Sequence, residues 1–439
     1  MKTKTHKRQS NCRLIAFGLF SSVPLYLFFG ATSAKAQMGL ADDMANELES
    51  ASRAQQAQMT DYTFKSGDFR MLLTPALSVQ WNNNINLTES GQESDFIFLP
   101  TVGAILSYPL TDRNLLQLNV TVGYSQYAKH TDLSSWYLQT GSGLSFNFAI
   151  KDVLLNVHDQ FSYVQDSSQN AQVAGTGSYG TFNNTAGLSA NWDLKYVDTT
   201  VGYDYQNTIA TSSQFKQNDN SIQNVYAKIG YKVNSKLTAG VEGTAAYTDY
   251  TEDILNNNAS YSAGVYGDWQ PDKYIHVTPR FGYVIAQFQQ TSQFVQTSDL
   301  NSWYADLNIS HQITKSLNYT LDAGRNISLG VQADANEYWY LNGNVSWSFI
   351  KNFSFAPNFF YQHGNQGIGS TVTAAPPTSS AGLVSETYDW YGGGIAFNYN
   401  ITKRFVTTLS YTITQRTSSV SGRGYTQNVV GIQFTYRPI

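Results

Sequence analysis

A short polar break between two alternating runs is the feature that most limits what this chain can become. In Trp347-Ser348-Phe349-Ile350-Lys351-Asn352-Phe353-Ser354-Phe355 an apolar/polar alternation leads in, a polar step carries one lysine, and a second alternation leads out. Period-two patterning sends successive side chains to opposite faces of a strand, so each such stretch reads as a hairpin. Similar breaks sit at Pro109 to Asn114 with Arg113, Ile150 to Asp152 with Lys151, Leu194 to Tyr196 with Lys195, Asn234 to Lys236, Gln270 to Lys273, Thr314 to Ser316 with Lys315, and Thr402 to Arg404 with Lys403. They recur at a spacing of roughly 40 residues, as an array of like units does. A longer polar stretch separates each tight break from the next. The repeat of strand, short turn, strand and long loop predicts a transmembrane antiparallel up-and-down β-barrel with short periplasmic turns and longer external loops.

Strand length supports that reading over a soluble sandwich. Leu116, Leu118, Val120, Val122 and Tyr124 are apolar, while Gln117, Asn119, Thr121, Gly123 and Ser125 between them are small or polar. This pattern persists for about ten residues or more in most strands, enough for a tilted membrane crossing and longer than the usual soluble strand of about five or six. Eighteen strands are expected, from Phe69 to Trp81 through Gln427 to Tyr436, or sixteen on a miscount of two. Aromatics mark both strand ends: Phe148, Trp192, Tyr231, Trp269, Trp347, Phe349, Phe353, Tyr399 and Phe405 beside the tight breaks, and Tyr124, Trp136, Tyr163, Tyr205, Trp303 and Trp339 beside the long loops. Rings with a polar tip settle at membrane interfaces. The slightly polar mean hydropathy of -0.32 fits a barrel, whose lipid-facing and lumen-facing residues cancel in the average. The longest expected loop runs from His363 to Glu386.

The start of the chain reads as an export signal. Lys2, Lys4, Lys7, Arg8 and Arg13 precede an apolar run from Leu14 to Phe29, and Ala34-Lys35-Ala36 forms a small-residue cleavage site before Gln37. The expected organisation is a signal at residues 1–36, a short periplasmic or lumenal segment at 37–66 and one barrel domain at 67–439. Leu40, Met44 and Leu48 give the middle segment a short amphipathic stripe, which suits either a lumen-inserted plug or a leader. Cys12, the chain's only cysteine, falls within the signal. Loss of the signal leaves 21 basic against 31 acidic residues, and a net charge of -10 argues against nucleic acid as a partner.

Strand parity places most lumenal positions at Asn, Ser, Thr, Gly or Gln, with mid-height charges at Asp204, Lys228, Glu242, Arg280, Asp306 and Asp322 as candidate pore-lining residues. Counting outward from the turns sets Lys228 opposite Glu242, and Asp306 opposite Asp322. Two adjacent carboxylates repel unless a cation intervenes, and Arg280 on the preceding strand is placed to bridge them. These three are expected to form a charged constriction, with neutralised wall residues as the plainer alternative. His130, His158, His276, His311 and His363 are scattered, and no H-E-x-x-H, G-x-S-x-G or phosphate-cradling loop occurs, so neither enzymatic chemistry nor a cofactor or metal is expected.

Three stretches resemble the β-barrel porin family of Gram-negative outer-membrane proteins. They are Leu73-Thr74-Pro75-Ala76-Leu77-Ser78-Val79, with Asn83-Asn84-Ile85 and Ser94-Asp95-Phe96-Ile97-Phe98-Leu99-Pro100 beyond it; the pattern Pro279, Phe281, Tyr283 and Pro357, Phe359, Tyr361; and the aromatic end Phe434-Thr435-Tyr436. The resemblance implies residence in the bacterial outer membrane among lipid and lipopolysaccharide, delivery by periplasmic chaperones to the barrel-assembly machinery, and passive diffusion of small hydrophilic solutes or saccharides. A homo-oligomer is allowed. Some members resemble proteins encoded for exopolysaccharide export, which supplies an alternative function; an outer-membrane hydrolase is a third. The chain ends Arg437-Pro438-Ile439, so the insertion signal would rest on Phe434 and Tyr436. Proline cannot donate to a ladder, so bulges are expected at Pro279 and Pro357.

Overall fold

The computed structural model describes residues 62–111, 113–372 and 383–437; the expected signal with Ala34, Ala36 and Gln37, and most of the expected 37–66 segment, lie outside the described residues. Eighteen long strands follow in order: β1 (Phe69–Asn82), β2 (Asp95–Thr111), β3 (Asn114–Tyr127), β4 (Ser135–Ile150), β5 (Val153–Val164), β6 (Thr181–Asp193), β7 (Val197–Ala210), β8 (Asn220–Asn234), β9 (Leu237–Tyr250), β10 (Asn258–Trp269), β11 (Ile275–Phe288), β12 (Leu300–Thr314), β13 (Leu317–Leu329), β14 (Ala335–Ile350), β15 (Phe353–Gln366), β16 (Glu386–Asn400), β17 (Phe405–Ser418) and β18 (Tyr425–Tyr436). Each is antiparallel to its successor. β1 also pairs with β18, from Ala76 opposite Thr435 to Asn82 opposite Val429, and this pairing closes the sheet. The fold is the expected closed barrel, with eighteen strands rather than sixteen.

Every basic break in the sequence is a tight turn of the barrel. Ile150 faces Val153 across Lys151-Asp152, and Ile350 faces Phe353 across Lys351-Asn352; Lys151 and Asn352 take φ of 53° and 67°, the left-handed backbone that two-residue hairpins use. Strand parity sorts the two faces. Along β17, Leu409, Tyr411 and Ile413 are exposed on the outside, while Ser410 and Thr414 are buried inside. Outward apolar residues on every strand form the belt that a barrel presents to lipid. Trp192, Tyr231, Trp269, Trp347, Tyr399 and Phe405 border it at the tight turns, and Trp136, Tyr205 and Trp339 near the opposite rim.

The bulges expected at Pro279 and Pro357 do not form: the register is the same on either side of each proline, and the ladder is only interrupted on one side, where the missing N–H leaves a gap. The β10–β11 pairing passes from Tyr266 opposite Arg280 directly to Trp269 opposite Val277, skipping Pro279, and the β14–β15 pairing skips Pro357 in the same way. At the closing seam the pairing of β1 with β18 ends at Ala76 opposite Thr435, just above Pro75. Below it the short strand Phe64–Ser66 folds back on β1, with Phe64 opposite Met71, so the tail of the expected 37–66 segment covers the free edge of β1. The expected loop from His363 begins later than the sequence suggested. His363, Gly364, Asn365 and Gln366 extend β15 because each finds a partner on β16, such as Asp389 for His363 and Glu386 for Gln366.

A charge on the outer belt should therefore cost far more than one on the lumenal face. Ile432→Arg, facing lipid between Val79 and Leu409, should lower unfolding stability in bilayers by about 2–4 kcal/mol. Thr412→Arg, on the inward face of β17, should not show that penalty in the same urea titration.

Candidate functional site

The lumenal wall carries a charged stripe across β8 to β14. Lys228 stands directly opposite Glu242, as the hairpin count predicts. Their charges nevertheless find other partners. The Glu242 carboxylate accepts from Arg280 Nε and Nη2, each at 3.1 Å, and from the Tyr304 hydroxyl at 2.8 Å, while Lys228 Nζ lies 4.3 Å from the Tyr266 ring centroid. Arg280 comes from β11 and reaches Glu242 on β9 across Gly264 of β10. A Cβ at Gly264 would stand 2.2 Å from the Tyr304 hydroxyl, and one at Gly282 would meet the same ring at 2.4 Å. The two glycines let the tyrosine lie flat on the wall, where it holds the carboxylate in place.

The expected pairing of Asp306 with Asp322 is corrected. Asp306 faces Gly324, and Asp322 faces Asn308. The tight turn is Lys315-Ser316, with Thr314 opposite Leu317, instead of being centred on Thr314; that placement moves the count by three, the bulge between Gln312 and Thr314 takes one back, and the register ends two residues from the expected one. A two-residue shift keeps both acids on the lumenal face and makes them diagonal neighbours, about 7–8 Å apart at Cα. Arg280 is the direct ladder partner of Asp306, whose carboxylate also accepts from the Tyr340 hydroxyl. Glu242, Arg280 and Asp306 thus form a continuous row with two tyrosine hydroxyls, and Asp322 lies one step away. Asp204 stands apart. It is fully buried beside His158, whose Nε2 is 3.1 Å from Oδ1 and whose Nδ1 is 2.8 Å from Asn156 Oδ1. Sequence reading set His158 aside because its partner is 46 positions away; only the register of β5, β6 and β7 unites them.

At the external end, chain that no sequence pattern marks lies inside the barrel. The β12–β13 ladder ends at Ala305 opposite Arg325, although both strands continue beyond that point. The top of the β13–β14 hairpin leaves the wall and folds inward. Ile327, Leu329 and Ala335 pack on Ile222, Ala246, Val284, Ala286, Phe288, Leu300 and Tyr304, the inner faces of β8, β9, β11 and β12. Arg325 spans the departure, donating to Trp303 O, Ser302 Oγ and Glu337. The hairpin tip then meets the loop between β5 and β6. Gln172 accepts from Val331 N at 2.8 Å and donates to Leu329 O at 3.3 Å.

Two buried ionic nodes pin these loops. Glu386 binds Arg416 at 2.7 Å and Arg423 at 2.9 Å, and the arginines donate onward to Ala171 O at 2.8 Å and Gln172 O at 2.7 Å. Burial holds Arg423 below the ordinary arginine value, with Glu386 opposing that shift. On the other side Asp334 accepts from Asn256 N and Nδ2, both at 2.7 Å, and from Thr297 Oγ1, tying together three external loops. Burial raises its carboxyl above the usual range, against the pull of those donors. Among the described residues no group of three or more His, Cys, Asp or Glu side chains is arranged to hold a metal.

No family model matches the chain, and no curated protein matches it. Among solved structures it is similar to Pseudomonas aeruginosa OccK2 (OpdF), crystallised with glucuronate, at 10% identity over 85% of this chain and 99% of that one, with a TM-score of 0.47. It is similar to Pseudomonas aeruginosa OpdQ at 8% identity over 85% and 100% of the two chains, with a TM-score of 0.47. Acinetobacter baumannii OccAB3 gives 7% identity over 84% and 99%, with a TM-score of 0.45. Likeness at this level does not bear on cargo, and the barrel assignment stands on the ladder described above.

Both nodes yield expected outcomes. Glu386→Gln leaves two buried guanidinium groups without their shared carboxylate, and breaking such a cluster costs about 3–5 kcal/mol; urea unfolding should show the loss, with faster proteolysis of residues 165–180. For Asp334, the folded chain keeps its proton to higher pH than the unfolded chain does. Stability should therefore be full and independent of pH below about 4, where both states are protonated, and fall as pH climbs from there through the raised value. Asp334→Asn should flatten that part of the stability profile in thermal melts. The chain is a closed eighteen-stranded transmembrane β-barrel with a charged inner wall and loops that fold into its external end.

Proposed function

We propose that this barrel is a bacterial outer-membrane channel for small hydrophilic solutes, whose narrow lumen is controlled by the in-folded β13–β14 hairpin and the loop between β5 and β6. The observation that carries the reading is the sorting of the wall: apolar outside on every strand, and inside a polar surface crossed by the Glu242–Arg280–Asp306 row. A wall of that kind acts on a solute by diameter and lining groups. On the stripe itself Glu242, Asp306 and Asp322 outnumber Lys228 and Arg280, so the lumen favours cations over anions. The Asn, Ser, Thr and Gln side chains that fill most of the inner face also suit polyhydroxylated solutes, which exchange hydrogen bonds readily with such groups. Assembly is assigned to Phe434, exposed on the lipid face, and Tyr436, whose ring lies 4.9 Å from Phe405 at the closing end.

Planar-bilayer recording on the refolded barrel tests this directly. Discrete conductance steps with a cation-selective reversal potential are expected, and Asp306→Asn with Asp322→Asn should move that potential toward anions. Unchanged conductance and ion preference in the double variant would remove these residues from selectivity; absence of any conductance, with the external loops intact or trimmed, would remove the channel.

A further inference from the structure

Positive charge is spread around the whole periplasmic end of the barrel. Among the described residues all eight tight turns carry an exposed lysine or arginine, from Arg113 between β2 and β3 to Lys403 and Arg404 between β16 and β17. The exposed acids described at that end are Asp68, Asp152, Asp193 and Asp272, and two of these are occupied. Lys232 on β8 holds Asp193 at 2.5 Å, and Asp272 accepts from the backbone N–H groups of Tyr274 and Ile275 at 2.6 and 3.1 Å. The external loops have the opposite sign. Their exposed bases, among the described residues, are Lys129 and Lys216, against Glu89, Glu93, Glu252 and Asp253 among their exposed acids.

Aromatic rings fix the depth of the turn charges. Lys351 sits at the tip between Phe349 and Phe353, whose ring centroids are 5.2 Å apart, with Trp347 beside Phe349 at 4.9 Å. Lys195 and Lys273 lie beside the exposed rings of Tyr196 and Tyr274, with Nζ at 4.9 and 4.8 Å from the centroids. Such rings settle at the headgroup level, so a lysine just beyond them is level with phosphate. Neighbouring turns are two strands apart, about 12 Å around a wall of strands spaced about 4.8 Å and tilted about 40°. That exceeds the Debye length of about 8 Å at physiological ionic strength, and each turn acts as a site of its own.

We propose that the eight turns form a collar that binds the anionic phospholipids of the inner leaflet. A lipid annulus touches the whole circumference, whereas a globular partner covers one sector, and the charges are spread over every turn. A phosphodiester without an ammonium group brings its full charge to a lysine. A zwitterionic headgroup brings a cation of its own to the same place. Basic residues at a membrane surface gain from anionic lipid one by one, as separate turns require. The collar holds the periplasmic end at phosphate depth and draws anionic lipid around the barrel.

The test reconstitutes the refolded barrel in phosphatidylcholine vesicles and measures, by electron spin resonance, how strongly spin-labelled phosphatidylglycerol and phosphatidylcholine associate with it. Phosphatidylglycerol should be preferred by about two-fold or more at about 50 mM salt, and the preference should vanish at about 500 mM. The combined variant Lys151→Gln, Lys195→Gln, Lys315→Gln and Lys351→Gln should lose about half of the preference or more, and arginine at the same four positions should keep it. Lys129→Gln with Lys216→Gln, in the external loops, should leave it unchanged. Equal association of the two lipids with the wild type, a preference that survives high salt, or one untouched by the four glutamines would each overturn the proposal. So would its loss in millimolar inorganic phosphate at constant ionic strength, which would assign the collar to a soluble anion, or crosslinking of Lys351→Cys to a periplasmic protein in whole cells. The measurement needs no current through the barrel, so its failure is distinct from failure of the channel reading.

Discussion

Backbone amides and carbonyls that enter hydrocarbon must be satisfied within the chain, and the rest of this structure follows from that requirement. A sheet can meet it only by closing. The deciding contact is the ladder between the first and last strands, Ala76 opposite Thr435 through Asn82 opposite Val429. Where β18 runs out, the chain supplies Phe64–Ser66 as a patch for the exposed edge and places Pro75, which has no N–H to leave unpaired, just below the end of the closing ladder. Once closed, the cylinder has an inside and an outside, and period-two alternation decides which residue goes where.

That closure also explains how charge could be placed in the wall. Glu242 and Arg280 sit two strands apart and meet because Gly264 between them has no side chain, and the Tyr304 ring fills the space so created. Burial of such a pair is costly on its own and needs added hydrogen bonds to hold it; the tyrosine hydroxyl supplies one. The same logic governs the external mouth, where Glu386 binds two arginines that go on to hold the backbone of residues 171 and 172. In both places an ion pair fixes the geometry of the inner wall.

Much of the barrel was legible in the chain because strand period and turn chemistry are local. Lys151, Lys315 and Lys351 each mark a turn, and the extents of β5 and β13 agree with the alternation at both ends. The candidate site was legible by face but less so by partner. Parity put Asp306 and Asp322 in the lumen, yet the turn falls at Lys315-Ser316 with a bulge after Gln312, and neither the centre of a turn nor a bulge is marked in an alternating pattern. The His158–Asp204 pair, the inward fold of β13–β14 and the reach of Gln172 to Val331 depend on contacts between distant segments.

The account rests on a wall with lipid on one side and lumen on the other, and a nitroxide scan along β17 in bilayers tests it most directly. Labels at Leu409, Tyr411 and Ile413 should collide with oxygen dissolved in lipid, while labels at Thr408, Ser410 and Thr412 should be shielded from it, giving a period of two through the strand. Equal exposure of both sets to a water-soluble relaxant, or a period near 3.6, would contradict the barrel and everything inferred from it.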